Sequence, residues 1–260
     1  MANRIFRIGF IGAGNVAHHI ARSFMNAGHD VKAVCARTYE SAKSLADIVG
    51  AVPCDNVESL PVDTLDLIVI ATNDSSVGEV AETLARSEAI IAHTSGSVPL
   101  DVLSSKHRKS AVIYPLQTFS KDIAVEIDKV PFFIEATDRR TLEDIESITR
   151  QISSTVYHAD STVRSKLHIA GVLSSNFPIY LLEMARRVLD EAGLPLSTVG
   201  PLVEASIKKA FEKTPLDALT GPARRGDIST VEKQSASFEN PVERQVYDAM
   251  SKAILTEFGF

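Results

Sequence analysis

The chain has 260 residues, a formal charge of −6, and 45% hydrophobic against 23% charged residues. That balance excludes a disordered chain and fits one large domain or two ordinary ones. The acidic surplus argues against nucleic acid or an anionic membrane as partner, and no window of eighteen apolar residues predicts a membrane span.

Two cysteines, Cys35 and Cys54, lack metal-ligand spacing, so no metal is expected. Both are expected to be reduced thiols, as in a cytoplasmic protein. The arginine-bearing N-terminus reads as a strand and not as a signal peptide, because Gly9, Gly12 and Gly14 interrupt its apolar run.

Arg4–Phe10 is β-prone, Gly12-Ala13-Gly14-Asn15-Val16-Ala17 follows at once, and Val16, Ile20 and Phe24 then recur at helical spacing. A strand, a Gly-x-Gly-x-x-Ala turn and a helix in that order form the dinucleotide-binding fingerprint. Gly12 permits the tight turn, Gly14 leaves room for a diphosphate, and Ala17 lets the helix lie close to the strand. The helix from Asn15 offers its free N–H groups and positive dipole end to phosphates.

Further elements alternate. Strands are expected at Asp30–Ala36, Ala51–Pro53, Asp66–Thr72, Ala89–His93, Ala111–Pro115, Pro131–Ala136 and Thr155–His158. Helices are expected at Tyr39–Ile48, at Val77–Arg86 with Asp74 as cap, and at Leu142–Gln151. This pattern predicts an α/β fold, a doubly wound and mostly parallel Rossmann sheet over residues 1–159. Ligands should bind on the loops after Ile11, Ala36, Thr72, His93 and Pro115. From Asp160 the pattern becomes helical, giving an all-α domain over residues 160–260. Its first helix should run to about Ala192 with a kink at Pro178.

An NAD site usually carries an acid at the end of the second strand. Here Cys35-Ala36-Arg37-Thr38 has none, and Arg37 with Thr38 suits a 2′-phosphate, so NADP(H) is the expected cofactor. Arg37 covering the adenine ring is the alternative. Thr72 and Asn73 should flank the same cofactor. Tyr39-x-x-x-Lys43 lies beside the adenosine end and cannot serve a hydride step. Arg225-Gly226-Asp227 would act as an adhesion tripeptide only in a secreted protein. His18 and His19 diverge by about 100° on their helix, unlike a metal pair, and are expected to face solvent.

The loops His93–Ser97 and Tyr114–Phe119 are polar and small. Ser95, Gly96 and Gln117 are candidates for binding a substrate carboxylate or carbonyl, while Ser97 can instead cap a short helix near Pro99. On the long helix His168 and Ser175 share a face, and Asn176 borders it. Burying that stripe would need partners. Carbonyl or imine reduction needs a hydride and a proton, and an imidazole can give the proton near neutrality. His168 is therefore the candidate acid, with Asn176 orienting substrate; a structural histidine is the alternative.

Together these motifs resemble the Rossmann-like proteins that carry a helical C-terminal domain of unknown function. They are related to 6-phosphogluconate dehydrogenase, ketopantoate reductase and pyrroline-5-carboxylate reductase. Gly12–Ala17, His93–Ser97, Tyr114–Phe119, His168…Ser175-Asn176 and Thr220–Asp227 carry the likeness. The resemblance implies NADP binding, a homodimer through the C-terminal helices, and a role for Thr220–Asp227, Arg225 included, near the substrate. The larger superfamily often sets Lys and Asn four apart on the long helix, whereas Lys166 is followed by Ala170. Some relatives have His where this chain has Tyr114. The expected function is hydride transfer to or from a small polar metabolite. A non-catalytic NADP sensor or scaffold is the alternative, and a methyltransferase a weaker one.

Overall fold

The structure, a computed structural model, describes residues 4–260. Strand β1 (Arg7–Ile11) leads through the glycine turn into α1 (Asn15–Asn26), then β2 (Asp30–Cys35), α2 (Tyr39–Val49) and β3 (Val52–Cys54). Next come β4 (Leu67–Ile70), α3 (Val77–Thr83), β5 (Ile90–His93), α4 (Asp101–Ser104), β6 (Ser110–Pro115), β7 (Phe132–Ala136), α5 (Arg139–Thr149) and β8 (Val156–His158). Among the described residues eight strands form one sheet in the order β3-β2-β1-β4-β5-β6-β7-β8. Every pairing is parallel except β6 with β7.

Apolar residues alternate between two layers because successive side chains leave a strand on opposite faces. Ile8, Phe10, Leu67 and Val69 join Ala17, Ile20 and Phe24 of α1 and Ile145 and Ile148 of α5. Ile11, Ile68 and Ile70 join Val77 and Ala81 of α3 and Leu103 of α4 on the other face. Covering both faces is what makes β4 a continuous apolar run.

Local caps set the boundaries. The Thr38 hydroxyl and the Asp138 carboxylate accept first-turn amides of α2 and α5. Asp74 does not cap α3 as expected. It opens a 3₁₀ turn, Asp74–Ser76, so its side chain precedes the first helical turn and is taken by Ser97.

Helix α6 (Ser161–Gly171) is capped by Asp160 and passes into a π-helical stretch, Val172–Asn176, then into α7 (Phe177–Glu191). The expected disturbance at Pro178 takes this form: the wide turn lies just before the residue that lacks an N–H. The chain divides into compact units at 176/177, beyond the expected boundary of 159/160. The early helix belongs with the sheet because Arg164, fully buried, ion-pairs Glu135 of β7 and donates to the carbonyls of Ala159 and Val98 at 3.0 Å each.

The second unit contains α7, α8 (Gly200–Glu212), α9 (Pro215–Ala218), α10 (Ile228–Ala236) and α11 (Pro241–Glu257). Asp227 and Asn240 cap α10 and α11. Buried Glu243 of α11 pairs with Arg187 of α7, and the Arg224 guanidinium lies 3.8 Å from the Phe258 ring centroid. No helix among the described residues is long and apolar enough to cross a membrane.

Candidate functional site

A cleft of about 880 Å³ opens at the carboxyl ends of β1, β2 and β4. Gly12, Ala13, Gly14, Arg37, Thr38, Thr72 and Asn73 line it. Gly12 has φ +109°, and a Cβ there would stand 2.2 Å from the Ala71 carbonyl oxygen, so the turn admits glycine alone. Gly14 has an ordinary φ of −75° and caps α1 without a side-chain bond. A Cβ on Gly14 would meet no protein atom within 4 Å. The first amides of α1 thus face open space that a diphosphate fits.

The side chains of two expected cofactor residues are engaged elsewhere, although their amides belong to that first turn. Val16 packs against the core, and Asn15 Nδ2 donates to the carbonyl of Phe119 at 2.8 Å. His18 and His19 are buried, contrary to the expectation of solvent exposure. The loop after β6 covers them: His19 Nε2 donates to the Ser120 carbonyl at 2.9 Å, and its ring lies 5.1 Å from that of Phe119. Burial pulls the pKa of His18 down, helped by the charges of His19, Arg22 and Lys121. The Thr38 hydroxyl donates to Ser41 Oγ at 2.8 Å while capping α2, and Ser41 itself lines the cleft.

At the end of β5, His93 is fully buried, and burial pushes its pKa down to about 4. The neutral ring accepts the Ser95 amide at its Nδ1, 3.1 Å away. Ser95 Oγ in turn accepts the amides of Ser97 and Val98, each at 3.1 Å. Ser97 donates its hydroxyl to Asp74. Ser95 is therefore the residue that organises the turn, and Ser97 ties the turn to the loop after β4. Gly96 lies against the Tyr114 ring, which a Cβ would approach to 2.6 Å. Gln117 is exposed, and its Oε1 accepts the Thr118 amide at 2.8 Å.

Tyr114 is buried, and burial followed by the charge of Asp74 pushes its pKa up, so it keeps its proton at neutral pH. Its hydroxyl stands 3.4 Å from Nδ1 of His168. His168 and Asn176 are exposed and Ser175 is half-buried, so the polar stripe stays in solvent and needs no buried partners. The π-helical residues Val172–Asn176 also turn through less than 100° each, which removes the seven-residue alignment of His168 with Ser175. Arg225, in the second unit, is exposed on the 3₁₀ turn Ala223–Arg225.

Asp74, Ser41 and Lys121 border these features; the sequence points to Asp74 only as a helix cap and to the other two not at all. An acid in the loop after a strand suits a tie to a neighbouring loop as well as a helix cap, and Asp74 makes that tie with Ser97. Lys121 carries no signal, since it lies beyond the motif that precedes it.

Residues 7–95 match the family described as NADP oxidoreductase, coenzyme F420-dependent, and residues 130–254 match a domain of unknown function, DUF2520. A Bacteroides fragilis protein provisionally named an NADP oxidoreductase is 31% identical over 98% of this chain and 100% of its own, with a TM-score of 0.90. The 1-pyrroline-5-carboxylate reductase of Streptococcus pyogenes shares the fold at 14% identity, covering 98% of this chain and 100% of its own, with a TM-score of 0.67. The L-aspartate dehydrogenase of Methanocaldococcus jannaschii is 30% identical over 81 residues, so the match spans only 30% of this chain and 30% of that curated relative.

Proposed function

Because the chain belongs to the family of Rossmann-type NADP oxidoreductases with a helical C-terminal domain of unknown function, we propose that it is an NADP(H)-dependent reductase or dehydrogenase. Its substrate is a small polar metabolite, a keto acid or an imine. The observation that carries this reading is the uncapped start of α1 at Gly14, opening into a cleft that Arg37 borders and that has no acid at the end of β2.

In this reading Gly12 and Gly14 admit the diphosphate, and Arg37 meets the 2′-phosphate through its planar fork. Ser41 joins it, since the Thr38 hydroxyl is held by the helix cap. When bound, the nicotinamide supplies or removes the hydride. This chain's own task is to orient the substrate and move a proton. Ser95, Gly96 and Gln117 border the substrate, with Asn176 and Ser175 as further contacts. His168 gives the proton, and the Tyr114 hydroxyl at its Nδ1 holds the ring in place.

Calorimetric titration with NADPH, NADH and S-adenosylmethionine tests the cofactor, and NADPH is expected to bind tightest. His168→Ala is expected to leave NADPH affinity intact and lower turnover about 10²-fold or more. An unchanged rate removes His168 from the mechanism. The exposure of His168 and Asn176 favours one second reading, a sensor that binds NADP without turnover. That reading predicts no NADPH oxidation with any metabolite of a broad panel.

The same proposal includes a cytoplasmic homodimer joined through the C-terminal helices. Exposed Ile179 and Val188 of α7 and Leu202, Ile207 and Phe211 of α8 support it, Phe211 being 87% exposed.

A further inference from the structure

The loop after β6 leaves its strand beside Gln117 and runs back along α1, where two side chains hold it. Asn15 takes the Phe119 carbonyl and His19 takes the next one, of Ser120. Asn15 is the first residue of α1, and His19 lies one turn further on, so the strap runs along the flank of the helix whose amides face the cleft. The following residue, Lys121, lines that cleft with Gly12, Ala13 and Gly14.

The charge of the cleft makes this placement informative. Asp55, Glu58 and Glu79 line it, and among the lining residues the cations are Arg37 and Lys121. They arrive from opposite sides of β1: Arg37 follows β2, whereas Lys121 follows β6, with β4 and β5 between. One cannot stand in for the other. Arg37 suits the phosphate on the adenosine ribose beside β2, which leaves the diphosphate at the glycine turn without a side-chain cation from that side. Neighbouring His18 is held neutral by burial and by the positive groups around it.

We propose that Lys121 is the side-chain cation for the cofactor's diphosphate, and that Asn15 and His19 are positioning residues that hold it over the Gly12–Gly14 turn. The inference rests on the reading of this cleft as a pyridine-nucleotide site. It also gives the Asn15 side chain a task other than direct phosphate contact. The strap joins Gln117 on the substrate side to Lys121 on the phosphate side within a few residues.

The test is calorimetric titration of the full chain with NADPH, NADH and adenosine 2′-monophosphate. Lys121→Gln is expected to raise Kd for NADPH and NADH by a common factor of about 10, because both carry the diphosphate. Its affinity for adenosine 2′-monophosphate should not change. Arg37→Gln should weaken NADPH and adenosine 2′-monophosphate but spare NADH. His19→Ala should weaken both dinucleotides by about threefold, with His19→Gln restoring affinity through its amide donor. Lys121 is exposed, so an unaltered melting temperature should accompany its loss of affinity. Unchanged dinucleotide affinity in Lys121→Gln overturns the assignment while leaving the nucleotide reading standing. So does a loss confined to NADPH and adenosine 2′-monophosphate, which would place Lys121 at the 2′-phosphate. If the unaltered protein binds neither dinucleotide, the reading of the cleft falls and the inference with it.

Discussion

Gly12 and Gly14 stand two positions apart and answer to different demands. Alanine at Gly12 would need φ +109° and a Cβ 2.2 Å from a backbone oxygen, so Gly12→Ala should lower unfolding free energy by about 2 kcal/mol or more. Alanine at Gly14 meets only open space, so Gly14→Ala should alter stability by less than about 1 kcal/mol, the effect of a poorer cap. It should nevertheless weaken NADPH about tenfold or more by filling the diphosphate's place. Thermal melts beside titrations separate the two, and equal stabilities would contradict the distinction. His93 carries a pH prediction. Its folded pKa of about 4 lies below the 6.5 of the unfolded chain, so between those values only the unfolded state holds the proton. Stability is fully present above pH 6.5 and is lost as pH falls toward 4, by about 3 kcal/mol in all. His18 and His29, also lowered chiefly by burial, act in the same direction. Urea unfolding between pH 7.5 and 5 should show the decline, and His93→Asn, which retains an acceptor for the Ser95 amide, should reduce its slope.

Secondary structure was legible wherever the governing contacts are local. The near-continuous apolar runs of β1 and β4, and the glycine turn that follows β1, are written within a few positions of where they act. Misreadings arose where a distant segment decided the outcome. His18 and His19 carry the polarity of an exposed face, yet a loop a hundred residues later covers them. Asp74 has the spacing of a cap, but Ser97 from the next loop claims its carboxylate. The π-helical turn before Pro178 departs from the uniform 100° per residue that helical periodicity assumes, so sequence spacing does not reveal it. Of the candidate site, the glycine turn and Arg37 were readable as a motif, whereas Lys121 becomes visible only when the strap folds along α1.

The second unit leaves an unusual share of apolar side chains in solvent for an isolated chain. Leu202 is 67% and Phe211 87% exposed on α8, with Ile179 and Val188 exposed on α7. Burying such faces between two copies is the expected remedy, so sedimentation equilibrium should report a dimer, and Phe211→Glu with Leu202→Glu should shift it to monomer. A monomeric parent protein would contradict this. The reversal between β6 and β7 has its own consequence. With β8 parallel to β7, the last strand delivers the chain to the far rim of the sheet, away from the ligand crevice. Helix α6 must therefore climb the sheet from below before its middle reaches Tyr114. Had the final strands kept the common polarity, the helix would have departed from the crevice rim downward, and the imidazole seven residues into it would have been carried away from the phenol it now meets.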